Sequence, residues 1–188
     1  MANLPSNVNH IVIWLDQRFS LPGSNERMKE KFRHVTNPLK TFDKPTVCID
    51  FIDSVKDKKI FLITTGPFAQ DLVREVHDLP QIEFIYIYTH DINDHSRWVR
   101  QYSKIGIEHL INFDENLLEC LIHDIGGYLM RDGDKCERGR ELIQAKQLYE
   151  YAKGLYDQMS TENEEFKEIS NELHQRITKL SSKSRLKS

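Results

Sequence analysis

Three segments of this chain are apolar along nearly their whole length, instead of at every second position. They are residues 10–16, 59–66 and 82–89. A strand that is exposed on one face alternates apolar and polar residues, whereas a strand that is covered on both faces is apolar throughout. The three segments therefore predict central, parallel strands that are buried between two layers of helices.

Helical patterns separate these strands. Apolar residues recur every three or four positions in segments that we predict as helices over 25–35, 67–77, 94–105 and 114–130. The segment 46–52 is rich in β-branched residues, but Asp43 can cap a helix there and Pro45 suits its first turn, so we favour a helix.

A very short strand at 41–42 and a weaker one at 108–113 complete five strands that alternate with helices. Such alternation implies right-handed crossovers and a parallel sheet. We predict an α/β fold with a five-stranded, parallel, doubly wound sheet of flavodoxin-like order 2-1-3-4-5, followed by a C-terminal helical arm.

Four segments follow from this pattern: an α/β domain over 1–130, a linker over 131–136, the helical arm over 137–180 and a disordered basic tail over 181–188. The arm carries a heptad stripe that could belong to one rod, to a helix hairpin, or to helices packed on the domain. We expect self-association or protein binding along this stripe, through Leu142, Tyr149, Ala152 and Tyr156.

Composition excludes several classes of function. The net charge is −3, which gives no support for nucleic-acid binding. No apolar run approaches the ~18–20 residues that span a bilayer, and the first residues do not resemble a secretion signal. The three cysteines lie far apart, and the histidines follow no metal-binding pattern. We expect a cytoplasmic protein without a metal ion or a cofactor.

In a doubly wound sheet, ligands bind where the strands end at their carboxyl side. The residues at these ends are the candidate ligand-binding set: Asp16, Gln17, Thr64, Thr65, Gly66, Thr89 and His90.

This layout resembles the receiver domains of response regulators, with an acid after the first strand and a threonine after the fourth. The resemblance implies that Thr64 or Thr65 stands where receivers carry the aspartate that is phosphorylated, and that Asp16 and Gln17 stand for the magnesium-binding acids. Asn112 to Asp114 would replace the conserved lysine. A hydroxyl cannot form an acyl phosphate, so the resemblance implies the fold without phosphotransfer.

Further strings look like the N-terminal module of large invertebrate proteins that continue into an arginine ADP-ribosyltransferase domain and tetratricopeptide repeats. The strings are residues 11–16, 48–52, 59–63 with Gly66, 77–81 and 85–87. This resemblance implies the module without the transferase.

Our hypothesis is a non-enzymatic regulatory or scaffolding module that binds other proteins. The alternative is an enzyme that processes NAD or nucleotides, because the layout is also similar to TIR domains, which cleave NAD. In that case the resemblance implies Glu75 as the catalytic carboxylate, although the tryptophan and cysteine expected before it are replaced by Leu72, Val73 and Arg74.

Overall fold

A computed structural model describes residues 9–20, 30, 32, 35 and 37–185 of this chain, with side chains up to Ser182. Its contacts divide the chain into two compact units. One covers Asn9–Cys120, and the other contains the described residues from Leu121 onwards.

The first unit is built on a five-stranded sheet. Its strands are β1 (His10–Leu15), β2 (Leu39–Phe42), β3 (Lys59–Thr65), β4 (Ile82–Tyr88) and β5 (Leu110–Ile111). All neighbouring pairs are parallel, and the order across the sheet is β2-β1-β3-β4-β5. The fold is therefore a flavodoxin-like α/β fold, as the alternating pattern predicts.

The continuous apolar strands are the centre of the sheet. Every side chain of β1 is buried, and β3 is buried from Ile60 to Thr65. The register pairs Ile11 with Ile60 and Ile13 with Leu62 across β1 and β3. These strands form one apolar core together with the inner faces of the helices α1 (Pro45–Ser54) and α2 (Gly66–Val76). Burial of both faces thus explains why the strands do not alternate.

Two helices of this unit differ in detail from the predictions. Helix α1 is confirmed, but its N-cap is Lys44 and not Asp43, and no side chain caps it. The amphipathic helix predicted over 94–105 is instead a short helix, α3 (Ile92–Ser96), followed by a 3₁₀ turn at Val99–Gln101. The Asp91 carboxylate starts α3 earlier than expected because it accepts the backbone N–H of Asn93.

The helix predicted over 25–35 lies mostly outside the described residues. Two of its predicted inward residues, Phe32 and Val35, are described and buried. The Phe32 ring meets the ring of Trp14 edge to face, at 5.3 Å between centroids.

A long helix, α4 (Asp114–Arg138), contains the boundary between the two units. The linker predicted over 131–136 was wrong, because this segment is helical. Gly133 lies in the helix where the ring of Tyr149 packs: a Cβ at this position would be 2.5 Å from Tyr149 Cε1. A glycine that makes room for an aromatic ring is easily mistaken in a sequence for a helix end.

The second unit continues with α5 (Leu142–Tyr156) and α6 (Glu164–Arg185), which pack against each other as a hairpin. The prediction of a disordered tail from Ser181 was wrong as far as Arg185, which ends α6; residues 186–188 lie outside the described part.

The predicted self-association seam is occupied within the chain. Tyr149, Ala152 and Tyr156 are each at most 2% exposed, and only Leu142 is half-buried. The Tyr149 hydroxyl donates to Asp134 Oδ1 at 2.6 Å, and the Tyr156 ring packs on Gly126 and edge to face on Phe166. The heptad stripe is therefore the core of a helical unit, and these three side chains are not available to a second chain.

Candidate functional site

A cavity of about 380 Å³ opens at the carboxyl edge of the sheet, in the first unit. Its lining comes from the ends of three neighbouring strands, because parallel strands place all their carboxyl ends at one edge. The lining residues are Asp16, Gln17, Arg18, Thr65, Gly66, Pro67, Tyr88, Thr89, His90 and Asp91. The volume lies within the range of small-molecule sites.

The Asp16 carboxylate is buried at the wall of this cavity, with 1% of its side chain exposed. Arg18 neutralises it. The guanidinium Nε donates to Oδ1 at 3.1 Å and to Oδ2 at 3.0 Å, and Nη2 donates to Oδ2 at 2.6 Å. The backbone N–H of Arg18 adds a bond of 2.9 Å to Oδ1, in the 3₁₀ turn Gln17–Ser20. These bonds with Asp16 raise the pKa of Arg18 above its ordinary value.

Tyr88 and Asp114 form a second polar pair next to the first. The Tyr88 hydroxyl, at the end of β4, donates to Asp114 Oδ1 at 2.7 Å. Burial, followed by the hydrogen bond to Asp114, raises the pKa of Tyr88 to about 12. The phenol is therefore neutral and serves as a donor at physiological pH.

The start of α2 lies at the cavity, and no side chain caps it. Thr65 occupies the N-cap position in an extended conformation, but its side chain makes no capping hydrogen bond. Its hydroxyl oxygen has no hydrogen-bond partner among the described residues, and the residue is 7% exposed. A buried hydroxyl without a partner costs about 1–3 kcal/mol, and a group in the cavity that bonds to it would remove that cost.

Gly66 allows the helix to approach the next loop closely. A Cβ on Gly66 would lie 2.9 Å from Thr89 Oγ1 and 3.2 Å from His95 Nε2. His95 Nδ1 is also buried without a partner, and burial lowers the pKa of this imidazole. The start of α2 is thus surrounded by the hydroxyl groups of two threonines and by one imidazole.

The structure brings together most of the predicted ligand-binding residues. Asp16, Gln17, Thr65, Gly66, Thr89 and His90 all line the cavity. Thr64 does not line it; its side chain is fully buried, and its hydroxyl donates to the Thr65 carbonyl at 3.4 Å. Neighbours on a strand point to opposite faces, so Thr64 and Thr65 cannot share one environment.

The candidate catalytic residue lies elsewhere. Glu75 is exposed near the C-terminal end of α2 and does not line the cavity. Nine residues separate it from Gly66, or roughly 13 Å along a helix.

Sequence reasoning missed Arg18, Tyr88 and Asp91 as members of the site. Arg18 and Asp91 each follow the end of a strand by three residues, so the turn after a strand has to be included to find them. Tyr88 looked like a core residue because it ends an apolar strand, yet it is half-buried.

The arrangement limits the chemistry of the site. Both oxygens of Asp16 accept from Arg18, and β3 ends in threonines, so the cavity does not offer the cluster of acids that a magnesium ion requires. Within the described ranges, no three His, Cys, Asp or Glu side chains come close enough together to hold a metal ion. What the cavity offers is hydrogen bonding from hydroxyl groups, a helix start and one guanidinium.

Comparison with protein-family models, with curated proteins and with solved structures finds no match for this chain. A search of the described helices for a segment with the length and apolar character needed to cross a membrane also finds none.

Proposed function

We propose that this chain is a non-enzymatic regulatory module that binds a small ligand at the carboxyl edge of a receiver-like sheet. The observation that carries the proposal is the cavity of about 380 Å³ in which the Asp16 carboxylate, directly after β1, is held by Arg18. The oxygens of an ion-paired carboxylate are occupied by the cation, whereas hydroxyl groups and a helix start can bind a ligand without reacting with it.

The resemblance to receivers also supports ligand binding without phosphotransfer. A receiver needs a free acid pair and an acceptor aspartate, and Gln17 and Thr65 stand at those places. The ligand would be held by reversible contacts, in place of the covalent phosphate of a receiver.

The protein-binding part of the original hypothesis loses its proposed surface, because Tyr149 and Tyr156 are buried within the second unit. We therefore restrict the proposal to ligand binding by the first unit.

A thermal-shift screen of the full chain with small charged and uncharged compounds tests this proposal. The His90→Trp variant serves to block the site, since His90 is an exposed residue on the cavity lining. His174→Trp is the matched control, because His174 is an exposed histidine on α6. We expect at least one compound to raise the melting temperature of the wild type and of the control, but not of His90→Trp. If no compound acts, or if His90→Trp responds as the wild type does, the proposal is wrong.

The same samples separate binding from catalysis. We expect no nicotinamide release from NAD beyond the rate without protein. Turnover that disappears in Glu75→Ala would instead establish the NAD-cleaving alternative.

A further inference from the structure

The ligand-binding proposal leaves open which chemical group enters the cavity. Resting on that proposal, we infer that the start of α2 binds the phosphate group of the ligand, with the Thr65 hydroxyl and the first-turn N–H of Phe68 as donors. Inorganic phosphate and a phosphoester share this chemistry, and the experiment below uses each of them.

The helix start is the first support. The first N–H groups of a helix have no acceptor within the helix, and together they carry a partial positive charge. Helix α2 has eleven residues, its N-cap side chain makes no capping bond, and Pro67 removes one N–H from the first turn. Gly66 continues the pairing of β3 with β4, in which Thr65 lies opposite Tyr88, so its N–H faces the Tyr88 carbonyl. The Phe68 N–H is therefore the first-turn donor that an oxyanion at the helix start would meet.

Thr65 is an independent second support. Its side chain is more than nine-tenths buried, it lines the cavity, and its hydroxyl has no hydrogen-bond partner among the described residues. A threonine at an N-cap normally accepts an N–H of the first turn. Because Thr65 makes no such bond, its hydroxyl and the Phe68 N–H can both donate to one oxyanion.

The close approach of Gly66 to Thr89 is the third support. Gly66 has no side chain between the helix start and Thr89, and a Cβ there would be 2.9 Å from Thr89 Oγ1. The Thr89 hydroxyl also lines the cavity, where it exchanges long contacts of 3.3 and 3.4 Å with the backbone of Asp91. Such long bonds are easily exchanged for a bond to an anion.

The charges around the cavity include both signs. Asp16 is balanced by Arg18, and Asp114 accepts from the neutral phenol of Tyr88. Asp91, an exposed lining residue, is the carboxylate that would oppose a bound anion. Its Oδ1 accepts the Asn93 N–H at 3.0 Å, and an asparagine at this position can keep that bond.

The test is a titration of the ¹⁵N-labelled full chain with inorganic phosphate, and then with phenyl phosphate, at constant ionic strength set by sodium chloride. The amide signals of Gly66 and Phe68 report on binding. The variants are Thr65→Val, which removes the hydroxyl at nearly constant shape, and Thr65→Ser, which retains it. Thr46→Val is the control, because Thr46 is an exposed threonine in the first turn of α1.

We expect saturable shifts at Gly66 and Phe68 in the wild type, in Thr65→Ser and in Thr46→Val, with about tenfold weaker binding in Thr65→Val. Asp91→Asn should bind phosphate severalfold more tightly, and this result does not depend on whether Thr65→Val folds. Equal binding by wild type and Thr65→Val, unchanged or weaker binding by Asp91→Asn, or no saturable shift with either probe would overturn the inference.

Failure of this inference differs from failure of the ligand-binding proposal. If an uncharged compound stabilises the wild type and not His90→Trp while neither phosphate probe binds, the phosphate inference is wrong and the cavity still binds ligands. If no compound of any charge acts, both are wrong.

Discussion

Arg18 holds both carboxylate oxygens of Asp16, the residue that follows the first strand, through three side-chain contacts of 2.6 to 3.1 Å. The Asp16 side chain is buried, while the Arg18 side chain is 40% exposed. The pair therefore fixes the turn at one side of the cavity and keeps a buried charge neutralised.

Removing the cation should leave that charge buried without compensation. We expect Arg18→Met to lower the free energy of unfolding by about 2 kcal/mol, a value reduced from that of a fully buried pair because Arg18 is partly in water. Chemical denaturation measures the loss. The double variant Asp16→Asn/Arg18→Met should recover part of it, because no charge then remains buried.

Arg74→Met is the matched control for this prediction. Arg74 contacts Asp71 at 3.5 Å, and both side chains are largely exposed, so we expect a change of about 0.5 kcal/mol or less. A loss in Arg18→Met no larger than in this control would show that the Asp16 pair does not stabilise the turn.

The close approach of Tyr149 to Gly133 gives a prediction for the second unit. An alanine Cβ at 133 would lie 2.5 Å from Tyr149 Cε1, so Gly133→Ala should destabilise the protein by about 1–3 kcal/mol through overpacking. In Gly127→Ala, the nearest atom outside the helix backbone would be Arg131 Nη1 at 3.6 Å, which is ordinary contact. There the better helix propensity of alanine should stabilise by about 0.5–1 kcal/mol. We expect the two variants to change the free energy of unfolding in opposite directions, as measured by thermal or denaturant unfolding. A stabilising effect of Gly133→Ala would contradict the described packing.

His10 predicts a specific loss of stability in acid. Burial lowers its pKa from 6.5 to about 4, and the charge of Lys58 acts in the same direction. Between these values the unfolded chain binds a proton that the folded chain does not, so stability falls as the pH decreases from 6.5 towards 4. The full effect of this one group is about 3 kcal/mol.

His10→Phe tests this prediction, since phenylalanine keeps a ring against Phe61, whose centroid lies 5.8 Å away, and does not titrate. Unfolding free energies of both proteins are measured from pH 7 to pH 4. The wild type should lose more stability than the variant over this range. Parallel curves would mean that His10 is not the group responsible.

The sheet could be predicted because its physical cause is visible in the sequence. Strands such as β1 and β3 are apolar along nearly their whole length, which is the pattern expected of a strand buried on both faces. The very short β5 was also found, although only Leu110 and Ile111 pair with β4.

The helical unit was harder to predict because a glycine can either end a helix or make room for a neighbouring ring inside it. Gly126 and Gly133 lie inside α4 and admit the rings of Tyr156 and Tyr149. In the sequence, a glycine in a polar stretch predicts a helix end, and the aromatic partners lie 16 to 30 residues away. The heptad stripe was recognised as apolar, but periodicity does not say whether the covering surface belongs to the same chain.

Part of the site could be predicted once the strands were predicted. Strand ends are found from the strands, so Asp16, Thr65 and Thr89 could be named. The pairing of Asp16 with Arg18 depends on the 3₁₀ turn between them, and the missing cap at Thr65 depends on a side-chain rotamer. Neither is encoded in a pattern of residue types.

The most direct test of the central claim is an amide chemical-shift map of the full chain with the compound that stabilises it best. We predict changes centred on Gly66, Thr89 and the turn at Arg18, with the compound recovered chemically unchanged. Changes centred on another surface, or conversion of the compound during the experiment, would contradict a non-catalytic ligand site at the carboxyl edge of this sheet.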